Sequence, residues 1–372
     1  MKPFRAASGT GPDWLAACDA CLEELDGLSP KANLGFVYAS DPLAHAMDLI
    51  SERLKDVTGI DHWVGTGGSG VCTTGRGVFD EGTIVVLAAS LPAHGFRVFD
   101  GLRHGAGDGG SLSPDLRNHH FAIVHGDPRQ TKTASMIERL GKDTDAFLVG
   151  GLTSANGNGA MQIAGSPTEG GLSGVLITDE VSIITGLSQG CTPIGPTREI
   201  TAIDGPWIVT IDNQPALDVL KQDIGPILSR SLERISGFIF AARPEEGTDH
   251  PDLLVRELGD IDPIKQLLMV GDDLRRGDPL CFVKRDPEGA RANLRRMTAD
   301  LRRRAGDRSI HGALYHSCVA RGRQMFGTGS DELFMIEEEL GHIPLAGLFT
   351  NGEIFRDRLY GYSGVLTLFL GD

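Results

Sequence analysis

Three stretches of this chain end in the same way. Val64-Gly65-Thr66-Gly67-Gly68-Ser69-Gly70, Val149-Gly150-Gly151-Leu152-Thr153-Ser154 and Ala346-Gly347-Leu348-Phe349-Thr350-Asn351-Gly352 each come after an apolar run and a segment of helical spacing. The preceding runs are Ala32–Ala39, His120–His125 and Gly312–Cys318. The helical segments carry Leu43, Met47, Ile50 and Leu54 in the first case, and span Thr133–Leu140 and Asp331–Leu340 in the others. Each unit closes on a further apolar run: Thr83–Ala89, Gly174–Ile177 and Val365–Leu370. A β-α-β-loop-β unit used three times predicts an α/β fold, with α+β as the alternative. Its mixed sheets would be built from repeated β-α-β-β units packed with helices, in two halves. The wide, non-tandem spacing argues against a solenoid. Leu280–Lys284 with the helical segment Pro287–Arg304 looks like the partial start of a fourth unit.

At 372 residues the chain is long enough for two cores. The expected division is an N-terminal helical segment over 1–30, a first domain over 31–197 and a second over 198–372. Thr192-Pro193-Ile194-Gly195-Pro196 punctuates the chain at that boundary. Gly101–Arg117, rich in Gly, Ser and Asp, reads as a loop or mobile flap.

Charge and cysteine usage narrow the function classes. A formal net charge of −15 disfavours a nucleic-acid or anionic-membrane binder. The basic cluster Arg291, Arg295, Arg296, Arg302, Arg303 and Arg304 reads as a solvated helix face. Six cysteines without a disulfide spacing point to a reducing compartment. Cys18-x-x-Cys21 lacks a second ligand pair for zinc and falls on an amphipathic helix, so these two read as buried apolar residues. The first residues lack the apolar centre of a signal peptide, and no run approaches ~18 apolar residues. The expectation is a soluble, cytoplasmic protein without membrane insertion.

Gly65–Gly70 matches G-x-G-x-x-G. The next residues, Val71–Gly82, have no helical period, so the helix N-terminus needed for a pyrophosphate is missing. Phosphate-loop and nucleophile-elbow motifs are absent, and no histidine spacing makes a metal motif. No metal ligand or catalytic residue is assigned. His316 and Cys318 share a strand face and read as packed neighbours. The last unit is the most specific. Arg321, three residues past Cys318, offers a planar fork for a carboxylate and would lower a nearby thiol pKa. Its alternative is a salt bridge to Glu353 or to a helix acid. Asn351-Gly352-Glu353 sets an amide and a carboxylate at a strand end.

Ser317-Cys318-x-x-Arg321, a helix, Pro344-Leu345-Ala346-Gly347 and Asn351-Gly352-Glu353 before a final strand together resemble the FIST family. Leu34–Val37, Trp63–Gly65, Gly150-Gly151, Gly174–Leu176 and Ile208–Leu217 extend the resemblance over nearly the whole chain. Tyr360-Gly361-Tyr362-Ser363-Gly364 departs from the His/Asn-containing stretch of many members, which touches ligand identity more than fold. The resemblance implies an intracellular sensory module for small ligands, with amino acids proposed, working through a separate signalling output protein. The expected ligand-binding residues are Cys318, Arg321, Asn351, Glu353, Gly67, Ser69, Thr153 and Ser154. Arg321 would hold a carboxylate and Glu353 an ammonium, with no cofactor. Some members bind haem and sense nitric oxide, so a haem sensor with a His or Cys318 ligand is an alternative. An enzyme with Cys318 as nucleophile ranks last, because no clear general base accompanies it.

Overall fold

The computed structural model describes residues 3–102, 119–130, 132–156, 160–245, 252–271, 274–327 and 331–371. Contacts divide the chain into two compact units. One joins 1–188 with 292–372, and the other is the intervening 189–291.

The first unit is a threefold repeat. Repeat one runs β1 (Phe4–Thr10), α1 (Trp14–Glu24), β2 (Leu34–Ser40), α2 (Met47–Thr58), β3 (His62–Gly68), β4 (Gly70–Thr73), β5 (Arg76–Phe79) and β6 (Thr83–Ala89). The Asp13 carboxylate accepts from Ala16 N–H to start α1, and Gly59, at φ 72°, ends α2. Repeat two continues with β7 (Phe96–Leu102), β8 (Phe121–Gly126), α3 (Thr133–Thr144), β9 (Phe147–Leu152), β10 (Gln162–Ala164), β11 (Ser166–Thr168) and β12 (Leu172–Ile177). Repeat three opens with β13 (Ile183–Gln189), after which the chain enters the second unit.

The second unit holds β14 (Cys191–Pro193), β15 (Arg198–Asp204), β16 (Trp207–Ile211), β17 (Gln214–Pro215), α4 (Ala216–Leu228), β18 (Ile239–Pro244), β19 (Leu253–Asp262), β20 (Leu267–Val270) and β21 (Pro279–Arg285). Its strands pair antiparallel around a closed ring, β15-β16-β20-β19-β18-β21 and back to β15. Closure leaves these strands without a free edge. Ile200, Ile208, Leu268 and Phe282 fill the core against Leu217 and Leu220 of α4. β21 belongs to this ring, so the fourth unit expected at Leu280–Lys284 does not form.

Repeat three then completes with α5 (Pro287–Ala305), β22 (Ile310–Cys318), α6 (Gly322–Phe326), α7 (Asp331–Leu340), β23 (Leu345–Thr350), β24 (Glu353–Phe355), β25 (Arg358–Tyr360) and β26 (Ser363–Leu370). Three six-stranded sheets result, and their orders match strand for strand: β1-β6-β2-β3-β10-β11, β7-β12-β8-β9-β24-β25 and β13-β26-β22-β23-β4-β5. The centre of each is a parallel pair made by the two strands that flank the helix in the β-α-β order read from the sequence: β2 with β3, β8 with β9, β22 with β23. The hairpin of each repeat leaves its own sheet. β4–β5 joins β23, β10–β11 joins β3, and β24–β25 joins β9, so the repeats are laced in a cycle.

Side-chain alternation gives each sheet two faces. Val37, Ala39, Val86 and Ala88 pack on Cys18, Cys21, Met47 and Leu54 of α1 and α2, while Ala122, Val124 and Leu148 pack on Ile137 and Leu140 of α3. The opposite faces turn toward one another, as the contact of Phe36 with Phe369 of the third sheet shows, their centroids 6.1 Å apart. Of the flap expected at Gly101–Arg117, only Gly101 and Leu102, which close β7, lie within the described residues.

Candidate functional site

The repeats superpose on three glycines. A Cβ on Gly65 would sit 1.7 Å from Val37 O, on Gly150 2.0 Å from Val124 O, and on Gly347 2.0 Å from Tyr315 O. Only glycine lets these parallel strands approach so closely. One residue after each of those carbonyls stand Tyr38, His125 and His316, in equivalent places of β2, β8 and β22.

These three side chains meet. The Tyr38 hydroxyl lies 3.2 Å from His125 Nε2 and 3.0 Å from His316 Nε2, and all three residues are fully buried. A hydroxyl has one proton, so Tyr38 donates to one imidazole and accepts from the other. The two rings therefore carry opposite tautomers. The Nδ1 atom of each is buried without a hydrogen-bond partner. Burial pushes His316 down to about 3. It pushes His125 well below the ordinary range, with His316 adding repulsion. Both rings are neutral at pH 7.

One to three residues further along the strands, the ends are stitched together. Thr153 Oγ1 donates to Gly67 O at 2.6 Å. Ser154 Oγ accepts from Ser69 N at 2.8 Å and donates to Phe349 O at 2.5 Å, so one hydroxyl ties all three repeats. Ser69 and Ser154 are half-buried and Asn351 is exposed. Asn156 donates to both oxygens of Asp41 at 2.7 and 2.6 Å.

Glu353 is fully buried beside this layer. Thr350 Oγ1 lies 2.7 Å from its Oε1, and Ser363 donates to Oε2 from N–H at 3.1 Å and from Oγ at 2.7 Å. Burial raises its pKa to about 7, against the opposing pull of these donors. Cys318 is buried, and its thiol is pushed far up, first by burial and then by the Glu353 carboxylate.

Arg321 occupies a separate buried cluster. Its Nε and Nη2 reach Glu332 Oε1 at 2.9 and 2.8 Å. Its Nη1 meets Ser188 O, and its Nη2 meets Ser188 Oγ, both at 3.1 Å. Glu332 also accepts from Tyr315 at 2.5 Å and Ser317 at 3.0 Å. The guanidinium is thus held by a helix acid, Glu332 of α7.

Of the residues expected from sequence, Gly67, Ser69, Thr153 and Ser154 come together at the joined strand ends. Glu353 and Cys318 are neighbours, Asn351 is exposed nearby in the chain, and Arg321 is engaged elsewhere. Sequence reading passed over Tyr38, His125 and Glu332. The signal for the first two was present: the repeat alignment sets Tyr38, His125 and His316 in one column.

The chain is thus a cyclically laced three-repeat domain with polar groups gathered at its strand ends, and with a barrel inserted in its chain. The chain matches the FIST N domain over residues 33–214 and the FIST C domain over residues 216–356, and it belongs to the FIST family. FIST domains are sensory domains of signal transduction that bind small ligands. Similar chains include an uncharacterised protein of Mycobacterium bovis, 30% identical over 315 residues, 79% of each chain. Another, from Mycobacterium tuberculosis, is 30% identical over 308 residues, 77% of each chain. Among the described residues no helix is long and apolar enough to cross a membrane, and no group of three or more His, Cys, Asp or Glu is placed to hold a metal ion.

Proposed function

We propose that this protein is a sensor for an amino acid or a similar small zwitterion, docked at the joined strand ends and read out by a separate signalling partner. Ser154 carries the reading. Its single hydroxyl links all three repeats, so a ligand that competes for it alters the packing of all three at once. Gly67, Ser69, Thr153 and Asn351 would line the site, with the Asp41 carboxylate beside Asn156 available to an ammonium. Cys318 and Glu353 would form the wall behind it, and the separate Arg321 cluster would reach them only through space. Arg321 acts there through the field of its pair with Glu332, because its donors are already satisfied by Glu332 and Ser188.

Thermal unfolding in the presence of each proteinogenic amino acid tests this. A ligand that binds only the native state at about 100 Kd stabilises by about 2.7 kcal/mol, a plain rise in Tm. The rise should shrink in Ser154→Ala and Asp41→Asn. A flat response across the whole set would remove amino acids as the ligand class.

A further inference from the structure

We propose a second binding site, for a small organic anion with an apolar body, in the pocket between the β1 edge of the first sheet and the β4–β23 strands of the third. This pocket has a volume of about 500 Å³, within the range that encloses small ligands. Its polar wall includes Arg5, Arg76, Ser8, Thr10, His342 and the acid Glu24, and its apolar wall includes Phe4 and Pro344. Two guanidinium groups line it against the single carboxylate of Glu24, while the imidazole of His342 is taken up by Glu337, its Nδ1 2.7 Å from Oε1; in a chain of net charge −15 that local excess of guanidinium favours an anion.

Arg5 makes this more than a charged patch. Its Nε and Nη2 bond the Glu24 carbonyl at 3.3 and 3.1 Å, a neutral acceptor. The guanidinium is therefore positioned without a direct carboxylate partner among the described residues. The Glu24 carboxylate turns instead to Ser8 N at 2.6 Å and Ser8 Oγ at 3.5 Å. Among the described residues Arg76 pairs with the exposed Glu81 alone, at 3.4 Å, a contact weak enough for an incoming anion to displace. A guanidinium fork takes a carboxylate or a phosphate ester alike, and the Phe4–Pro344 side takes the body attached to it.

Phenyl phosphate, benzoate and neutral benzyl alcohol, titrated by calorimetry into the full chain at low salt, separate the possibilities. Saturable binding of phenyl phosphate alone assigns the site to phosphate esters, of benzoate alone to carboxylates, and of both to small anions in general. Affinity should fall at least about tenfold in Arg5→Gln, since a charge-assisted bond is lost. It should fall less in the exposed variant Arg76→Gln and hold in Arg230→Gln, a control outside the pocket lining. Arg76→Gln keeps the test valid should Arg5→Gln fail to fold. No saturable binding of either anion overturns the proposal. So does equal affinity for benzyl alcohol, or affinity unchanged in both pocket variants. Because the amino-acid screen reads Ser154 and Asp41, the two sites fail independently.

Discussion

The first unit buries two polar clusters and settles them in opposite ways. Around Arg321 the charges are kept. Cation and carboxylate face each other, and Tyr315, Ser317 and Ser188 meet the remaining valences. Around Tyr38 the charges are removed. Two imidazoles stay neutral, share one hydroxyl, and leave an Nδ1 unmatched on each. A satisfied ionic cluster locks one geometry, whereas a neutral trio with two tautomeric arrangements and unmatched atoms is the softer junction. That soft junction lies at the meeting point of the repeats, one layer beneath the strand ends where a ligand is proposed to act.

The contrast breaks first at the ionic cluster. Arg321→Met leaves Glu332 buried without its cation and should cost about 3–5 kcal/mol in a denaturant titration. The double variant Arg321→Met/Glu332→Leu should recover part of that loss. A single-variant cost under about 1 kcal/mol would put the two clusters on the same footing. The trio should show itself next, through pH. The folded pKa of His316 lies below the unfolded value of about 6.5, so the unfolded chain binds more protons as pH falls. Stability should therefore drop between pH 6.5 and 4, by about 3 kcal/mol from this residue, with His125 acting in the same direction. His316→Phe should flatten that limb. An unchanged limb would show that the acid sensitivity arises elsewhere.

The legibility of the fold in the sequence depends on the range of each signal. The strand–helix–strand cores were readable because period and punctuation are local. β2, β3, β8, β9, β22 and β23 lie where Gly65, Gly150 and Gly347 implied. The lacing was not readable, because strands as short as Gln162–Ala164 carry little pattern and their partners lie in another repeat. β1 was missed for a related reason: Phe4–Thr10 reads FRAASGT, small and polar, and becomes a strand only by pairing with β6. A return of the chain to its first unit after a barrel of 189–291 is invisible to punctuation, which marks boundaries but not re-entry. At the site, Ser69, Thr153 and Ser154 were legible as strand-end groups. The partner of Arg321 was not, since an arginine near two acids, Glu332 and Glu353, is assigned only by geometry.

Glu353 sharpens the comparison because it sits between the two solutions. Its raised pKa means that the folded chain binds the extra proton between about 4.5 and 7, so this residue favours folding as pH falls, opposite to the histidines. Glu353→Gln should raise stability at pH 8 by about 2–3 kcal/mol, since the amide oxygen can accept from Ser363 while the amide nitrogen faces Thr350. The same variant should leave the histidine-driven loss below pH 6.5 steeper than in the parent. A variant less stable than the parent at pH 8 would mean that the ionised carboxylate is the form the fold requires.

The smallest effect is expected at Ser154. Removing its hydroxyl in Ser154→Ala deprives Ser69 N–H and Phe349 O of a partner, but the site is half-exposed and water can replace it. The cost in urea should be about 1 kcal/mol. The decisive reading is how that cost propagates. If Ser154 couples the repeats, Ser154→Ala combined with His316→Phe should depart from additivity by more than about 0.5 kcal/mol, although the two residues lie in different layers. Strict additivity would confine Ser154 to a local stitch and leave the neutral trio without a connection to the strand ends.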